Sequence, residues 1–368
     1  MSIIIYFCAF LSTLLFVYIG ERIRFKNKII VRIGTKEKDN YSFQLVYTLI
    51  IFICPILLAA FRKGIGNDYK NYYNFFLEQC HRTVAQTEYS GIEYIFRLLT
   101  KIISLISENE RFYFGVLAFL MFYFFYLFCY YQKDKISMYY ILWYFLLIYY
   151  GMSYNIVRQT LAMCIVMFAI HYYIENKVKK YMILVTVAAL FHTSALIMIP
   201  IYFLKFIDAK RFRKILRGLF LTIIVLFPFY YKIAIQFMMR YLKFYLGYFS
   251  DMGTDVYYST FLYLFEKIIL LIPIMLKKRY LSCEYRKLIY FLFVDLVLVV
   301  PMFSIPYLYR ISYYFLIIYG MIIANCIKNS KGSKYYNIMV MYFNLFPIAF
   351  FILHYVILCN HQIYPYVI

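Results

Sequence analysis

Residues 151–203 read GMSYNIVRQTLAMCIVMFAIHYYIENKVKKYMILVTVAALFHTSALIMIPIYF. Two apolar runs flank the basic segment 175–180, each of the length that crosses a hydrocarbon core about 30 Å thick. Arg158 and Gln159 open the first run, and His192 interrupts the second about midway. An arginine in hydrocarbon costs about 2.5–3.5 kcal/mol on insertion scales, so ionisable side chains in or beside a span mark a working site.

Outward from this stretch the same pattern repeats. The 368 residues are 65% hydrophobic, 23% aromatic and only 15% charged, which excludes a soluble globular domain of ordinary usage and predicts a polytopic membrane protein. The abundant Tyr and Phe suit interfacial belts. A net charge of +22 invites a nucleic-acid reading, but the basic residues sit in short loops between apolar runs. That is the positive-inside pattern and not a continuous phosphate-binding face. The cysteines form no C-x-x-C, and Cys8, Cys54, Cys129, Cys164 and Cys326 fall inside apolar runs as packing residues. His81, His171, His192, His354 and His361 form no metal-ligand spacing, so neither a metal nor a cofactor is expected.

Taken in order, residues 2–20 read as a retained first helix and 21–40 as a basic cytoplasmic loop, with 42–60 crossing back. Residues 61–110 form an outer-face segment. Within it Gly64 and Gly66 permit a turn, Asn67 or Asp68 caps a helix, and Tyr69, Tyr72, Tyr73 and Phe76 make an aromatic stripe suited to the outer leaflet. Residues 91–106 place Ile92, Ile95, Leu99, Ile102 and Ile106 on one face, with Glu93 paired to Arg97 elsewhere. Runs 111–131, 136–150 and 156–174 then cross in turn. Reading back from the C-terminus puts the basic loops 205–217, 277–287 and 328–334 inside, which requires 181–203 to cross an even number of times. A re-entrant pair of half-helices turning near Phe191-His192-Thr193-Ser194 satisfies this, and a break at Pro228 within 217–236 is the competing solution. The remaining spans fall near 217–236, 259–276, 288–303, 310–327 and 337–358, with a second outer-face segment at 237–258. The expected fold is all-α: one transmembrane domain over 1–368, a helical bundle of about 10–12 spans with a re-entrant or broken segment near 181–203 and outer-face amphipathic helices.

On this topology Arg62, Arg158 and Arg310 all fall at outer span ends, where the positive-inside bias disfavours arginine. Guanidinium groups suit bidentate phosphate binding, and a lipid diphosphate in the outer leaflet lies at that depth. Arg62 with GIGNDYKNYY, NIVRQTLA at 155–162, FHTSALIMIPIY at 191–202, PYLYRISYYF at 306–315 and Tyr364-Pro365-Tyr366 together resemble the EpsG family of Wzy-like polysaccharide polymerases. The resemblance implies a glycosyltransferase of the bacterial inner membrane. Such an enzyme joins undecaprenyl-diphosphate-linked repeat units into exopolysaccharide, capsule or O-antigen on the periplasmic or exterior face. Its partners would be lipid-linked donor and acceptor glycans, membrane lipid and a chain-length regulator, with no nucleic acid, nucleotide sugar or metal.

The family's Arg, Asp and His positions fall here on Arg62, Asp68, Arg158, His192 and Arg310, while Asn67 departs from the small or hydroxyl residue expected there. The chemistry of these side chains then suggests roles. His192 and Asp68 are the candidate catalytic bases, His192 ahead because imidazole titrates near neutral pH. Arg62, Arg158 and Arg310 are the diphosphate-binding candidates, and Gln159, Tyr69, Tyr72 and Tyr366 the substrate-binding ones. Each has a structural rival. The arginines can anchor at headgroups or cap carbonyls, Asp68 can be a plain helix cap, His192 a satisfied core histidine, and the tyrosines packing. Asp295 and Glu266 are intramembrane ionisables without motif support. At the level of function, a glycan ligase for another acceptor, a lipid-linked glycan flippase or exporter, and a non-catalytic scaffold compete with polymerase.

Overall fold

The computed structural model describes residues 2–31, 41–82, 91–206, 255–302 and 309–366, with a few positions between 210 and 222. Every regular element among them is helical. In chain order the α-helices are α1 (Ser2–Val31), α2 (Tyr41–Ile51), α3 (Ile53–Phe61), α4 (Tyr69–His81), α5 (Tyr94–Ile106), α6 (Glu110–Tyr131), α7 (Met138–Tyr144), α8 (Tyr150–Met152), α9 (Val157–Ile174) and α10 (Val178–Phe191). They continue as α11 (Met198–Ile201), α12 (Asp255–Leu276), α13 (Cys283–Met302), α14 (Tyr309–Asn329) and α15 (Tyr336–Phe351). Contacts divide the chain into two compact units, Met1–Leu196 with Ser330–Ile368 and Ile197–Asn329.

Among the described residues four helical stretches are long and apolar enough to cross a membrane: Glu110–Tyr131, Val157–Ile174, Tyr309–Asn329 and Tyr336–Ile357. Several other expected crossings are helices with defects. The run 42–60 breaks at Phe52, between α2 and α3, three residues before Pro55, whose missing N–H cannot extend the ladder. Residues 138–152 pass through a π-turn at Phe145–Tyr149. The run 181–203 ends its α-helix at Phe191, turns extended at His192 (φ −157°, ψ 114°), and resumes as 3₁₀ and short α turns from Thr193 to Phe206. The expected span 217–236 and most of the segment 237–258 lie outside the described residues.

Three local expectations change. Residues 21–31, read as loop, extend α1 to Val31, because Arg, Lys and Glu are good helix formers and the polar segment lacks a breaker. The aromatic stripe of α4 faces protein: Tyr69 stacks on Phe114 at 5.2 Å and Phe76 on Tyr113 at 4.5 Å, and both stripe residues are buried. Aromatic neighbours offer these rings stacking in addition to burial. Of the apolar face read over 91–106, Ile102 and Ile106 are exposed while Ile92 and Leu99 pack on the core, and in α5 Thr100, Lys101 and Ser104 are buried alongside Phe96 and Ile103. Lys101 Nζ donates to the carbonyls of Gln79 (2.7 Å) and Arg82 (2.6 Å), capping the negative end of α4 with a buried cation.

The chain's end is tied to its beginning within the first unit. Tyr6 donates to the Ile363 carbonyl (2.8 Å), the Gly66 amide to the Gln362 carbonyl (3.1 Å), and Asn155 Nδ2 to the His361 carbonyl (2.8 Å). Gly66 has φ +98°, and a Cβ there would lie 2.6 Å from Asn155 Oδ1. Gly66→Ala is therefore expected to lower stability by roughly 1–3 kcal/mol. Gly64→Ala, at φ +64° with nothing within 4 Å, should lose less. Thermal unfolding in detergent gives the comparison, and equal losses would contradict it.

Candidate functional site

Two of the residues singled out above, Arg158 and His192, come together on a third, Glu93, which the sequence did not mark as functional. Glu93 is the N-cap of α5, with extended backbone, and its side chain makes no cap hydrogen bond. Its carboxylate instead accepts from Arg158 Nη1 at the head of α9, from His192 Nδ1 (2.9 Å) at the end of α10, and from the Thr193 amide (3.2 Å). Glu93 meets these partners because α10 packs on both α9 and α5, bringing an arginine and a histidine to one carboxylate. Arg158 Nη1 also donates to the Gly91 carbonyl at 3.1 Å.

These side chains are lidded but not sealed, at 23% exposure for Arg158, 19% for His192 and 14% for Glu93. Tyr72 of α4 lies beside Arg158, and the charge of Asp68 acts on the same phenol. Burial pushes the Tyr72 hydroxyl above its ordinary value, so it stays protonated as a donor. Burial also opposes ionisation of Glu93, but the hydrogen bond with His192 and the charge of Arg158 outweigh it and bring the carboxyl down to about 2. An ionised carboxylate only accepts, so His192 donates from Nδ1 and, when neutral, carries its lone pair on Nε2.

Asp68 is the N-cap of α4, yet its side chain makes no cap bond. One of its oxygens accepts from Asn71 Nδ2 at 3.3 Å, while its backbone amide donates to Asn155 Oδ1 at 3.2 Å. The plain-cap rival for Asp68 therefore lacks its defining hydrogen bond, and Asn155 ties this turn to the start of α9.

Arg62, Tyr69 and Tyr366 form a second group. Arg62 is 4% exposed, donates from Nη1 to the Tyr154 carbonyl (2.8 Å), and has Phe114 and Tyr154 rings each 4.4 Å away and Tyr69 at 5.9 Å. It lines a small cavity together with Ala59, Phe114, Leu117 and Val157. Tyr366 is buried and donates to the Leu58 carbonyl at 2.8 Å. Burial, partly offset by Arg62, pushes its phenol up to about 12. Tyr366→Phe should cost about 1 kcal/mol, read by thermal unfolding, without changing substrate affinity. Gln159 is buried on α9. Arg310 belongs to the other unit, in the first turn of α14, where its charge acts on Tyr313. Among the described residues no group of three His, Cys, Asp or Glu side chains could hold a metal.

Long apolar helices define a multi-pass membrane protein, and the Arg–Glu–His cluster lies at the head of one of them, Val157–Ile174. Residues 45–368 match the EpsG family, and the chain belongs to that family of Wzy-like polymerases. Its role is accordingly of the polysaccharide-polymerase type. Comparison with curated proteins and with solved structures gives no match.

Proposed function

We propose that this protein is a glycosyltransferase that polymerises undecaprenyl-diphosphate-linked repeat units at the outer face of the bacterial inner membrane. The observation that carries this reading is the junction of Arg158, Glu93 and His192, a phosphate-binding cation and a base sharing one carboxylate. Family membership supports the reaction class.

In the proposed reaction the acceptor hydroxyl attacks the donor's anomeric carbon. The new C–O bond forms as the bond from that carbon to the diphosphate oxygen breaks, and the diphosphate leaves with the electron pair. His192 Nε2 takes the hydroxyl proton, while Arg158 stabilises the charge growing on the diphosphate, and Arg310 of the other unit is a further diphosphate-binding candidate. Arg158 Nη1 serves Gly91 and Glu93 and the guanidinium also bonds the Tyr72 hydroxyl, so the donors that remain in its fork meet the phosphate oxygens. Tyr72 and Asp68 border the same site and are the groups placed to orient the sugar. Arg62, Tyr69 and Tyr366 support the site: Arg62 spends itself on Tyr154 and its aromatic neighbours.

The test is the lipid-linked glycan profile of cells lacking this chain. A polymerase defect leaves single units unjoined on the outer leaflet. Units trapped on the inner leaflet would instead make the protein a flippase, and normal polymer without transfer to its final acceptor would make it a ligase.

A further inference from the structure

The second unit contains buried ionisable side chains that the proposed reaction does not use. Lys267 of α12 donates to Asp295 of α13 and to Ser312 of α14, and Ser312 Oγ donates to Asp295 at 2.5 Å. The three side chains form a closed ring joining three helices. Lys267 is 1% exposed and the other two 0%, so a substrate does not reach them.

Such a pair is a poor device for stability alone, since desolvating both charges offsets most of their attraction. Its stronger effect is to specify geometry. Transmembrane helices lack a hydrophobic force between them in lipid, and polar side chains fix how they meet. Ser312 follows Arg310 by two residues in the first turn of α14. At about 100° per residue the two point to opposite sides of the helix, Ser312 into the ring and Arg310, half-buried, away from it. Holding Ser312 fixes the rotation of the turn that presents Arg310.

We infer that Lys267, Asp295 and Ser312 are positioning residues that hold Arg310 in its diphosphate-binding orientation, an inference that rests on the phosphate-binding role proposed for Arg310. Ser312→Ala removes one hydroxyl and leaves the Lys267–Asp295 pair intact, so the fold is retained. The experiment compares wild type, Ser312→Ala, Arg310→Lys and the double variant, each reconstituted in nanodiscs with lipid-diphosphate-linked repeat units as probe. Initial rates over a range of donor concentration separate KM from kcat. Ser312→Ala is expected to raise the donor KM about tenfold in wild type and less than about twofold in the Arg310→Lys background, the non-additivity of residues acting through one another. An equal rise in both backgrounds, or none in wild type while Arg310→Lys raises KM, overturns the positioning role alone. An Arg310→Lys variant with unchanged KM overturns the reading of Arg310 and this inference with it.

Discussion

Replacing Arg158 with Lys is expected to reduce polymer formation about 10²- to 10³-fold, the loss that follows removal of a single preorganised charge-stabilising donor. The substitution keeps the positive charge and removes the planar fork. In the protein that fork meets the Gly91 carbonyl and the Glu93 carboxylate through one nitrogen and also bonds the Tyr72 hydroxyl, leaving the remaining N–H groups for an anion. A lysine has a single ammonium group on a flexible stem; paired with Glu93 it lacks the second nitrogen that would chelate a diphosphate. The loss should fall on kcat, because charge accumulates on the diphosphate as the anomeric bond breaks. Donor turnover in nanodiscs measures this, and glycan length on gels gives the cellular counterpart. Full-length polymer made at normal protein levels by Arg158→Lys would remove the arginine from the reaction.

The features legible in the sequence were those written in local pattern. Apolar runs located α6, α9, α14 and α15, and the ionisable residue inside a run placed the break at His192. Glycines at 64 and 66 announced the turn before α4, where both have positive φ. The misread features depend on distant partners. Glu93 lies 65 residues from Arg158 and 99 from His192, whereas the helical i,i+4 rule offered Arg97 as its partner. The one available hint was charge balance: an Arg at the mouth of a span needs a counter-ion, and Glu93 stands in the non-spanning segment beside it. The aromatic rings that enclose Arg62 were likewise not legible, since sequence shows a span end and not its neighbours. The burial of Lys101 in α5 has the same origin. This lysine is satisfied by the carbonyl ends of α4, and no periodicity within α5 reveals that neighbour.

Glu93→Gln keeps the side-chain volume and removes the charge that Arg158 and His192 share, and kcat is expected to fall by about 10²-fold or more, the range of a lost general base. Gln has one acceptor oxygen, where the carboxylate accepts from Arg158, His192 and the Thr193 amide across two. The amide also donates, so it can turn His192 over and move the lone pair from Nε2 to Nδ1, away from the acceptor hydroxyl. Glu93→Asp keeps the charge and should retain more activity than Glu93→Gln. A second readout comes from pH. Glu93 has a carboxyl at about 2 in place of its ordinary 4.5. A depressed carboxylate contributes stability that is complete above 4.5 and disappears as pH falls through 2. Unfolding followed from pH 6 to pH 2 should therefore show a steeper acid loss for wild type than for Glu93→Gln, with Arg158 and His192 as the charges facing the group. Parallel acid profiles, or unchanged turnover in Glu93→Gln, would mean that the carboxylate neither pairs with these cations nor orients the imidazole.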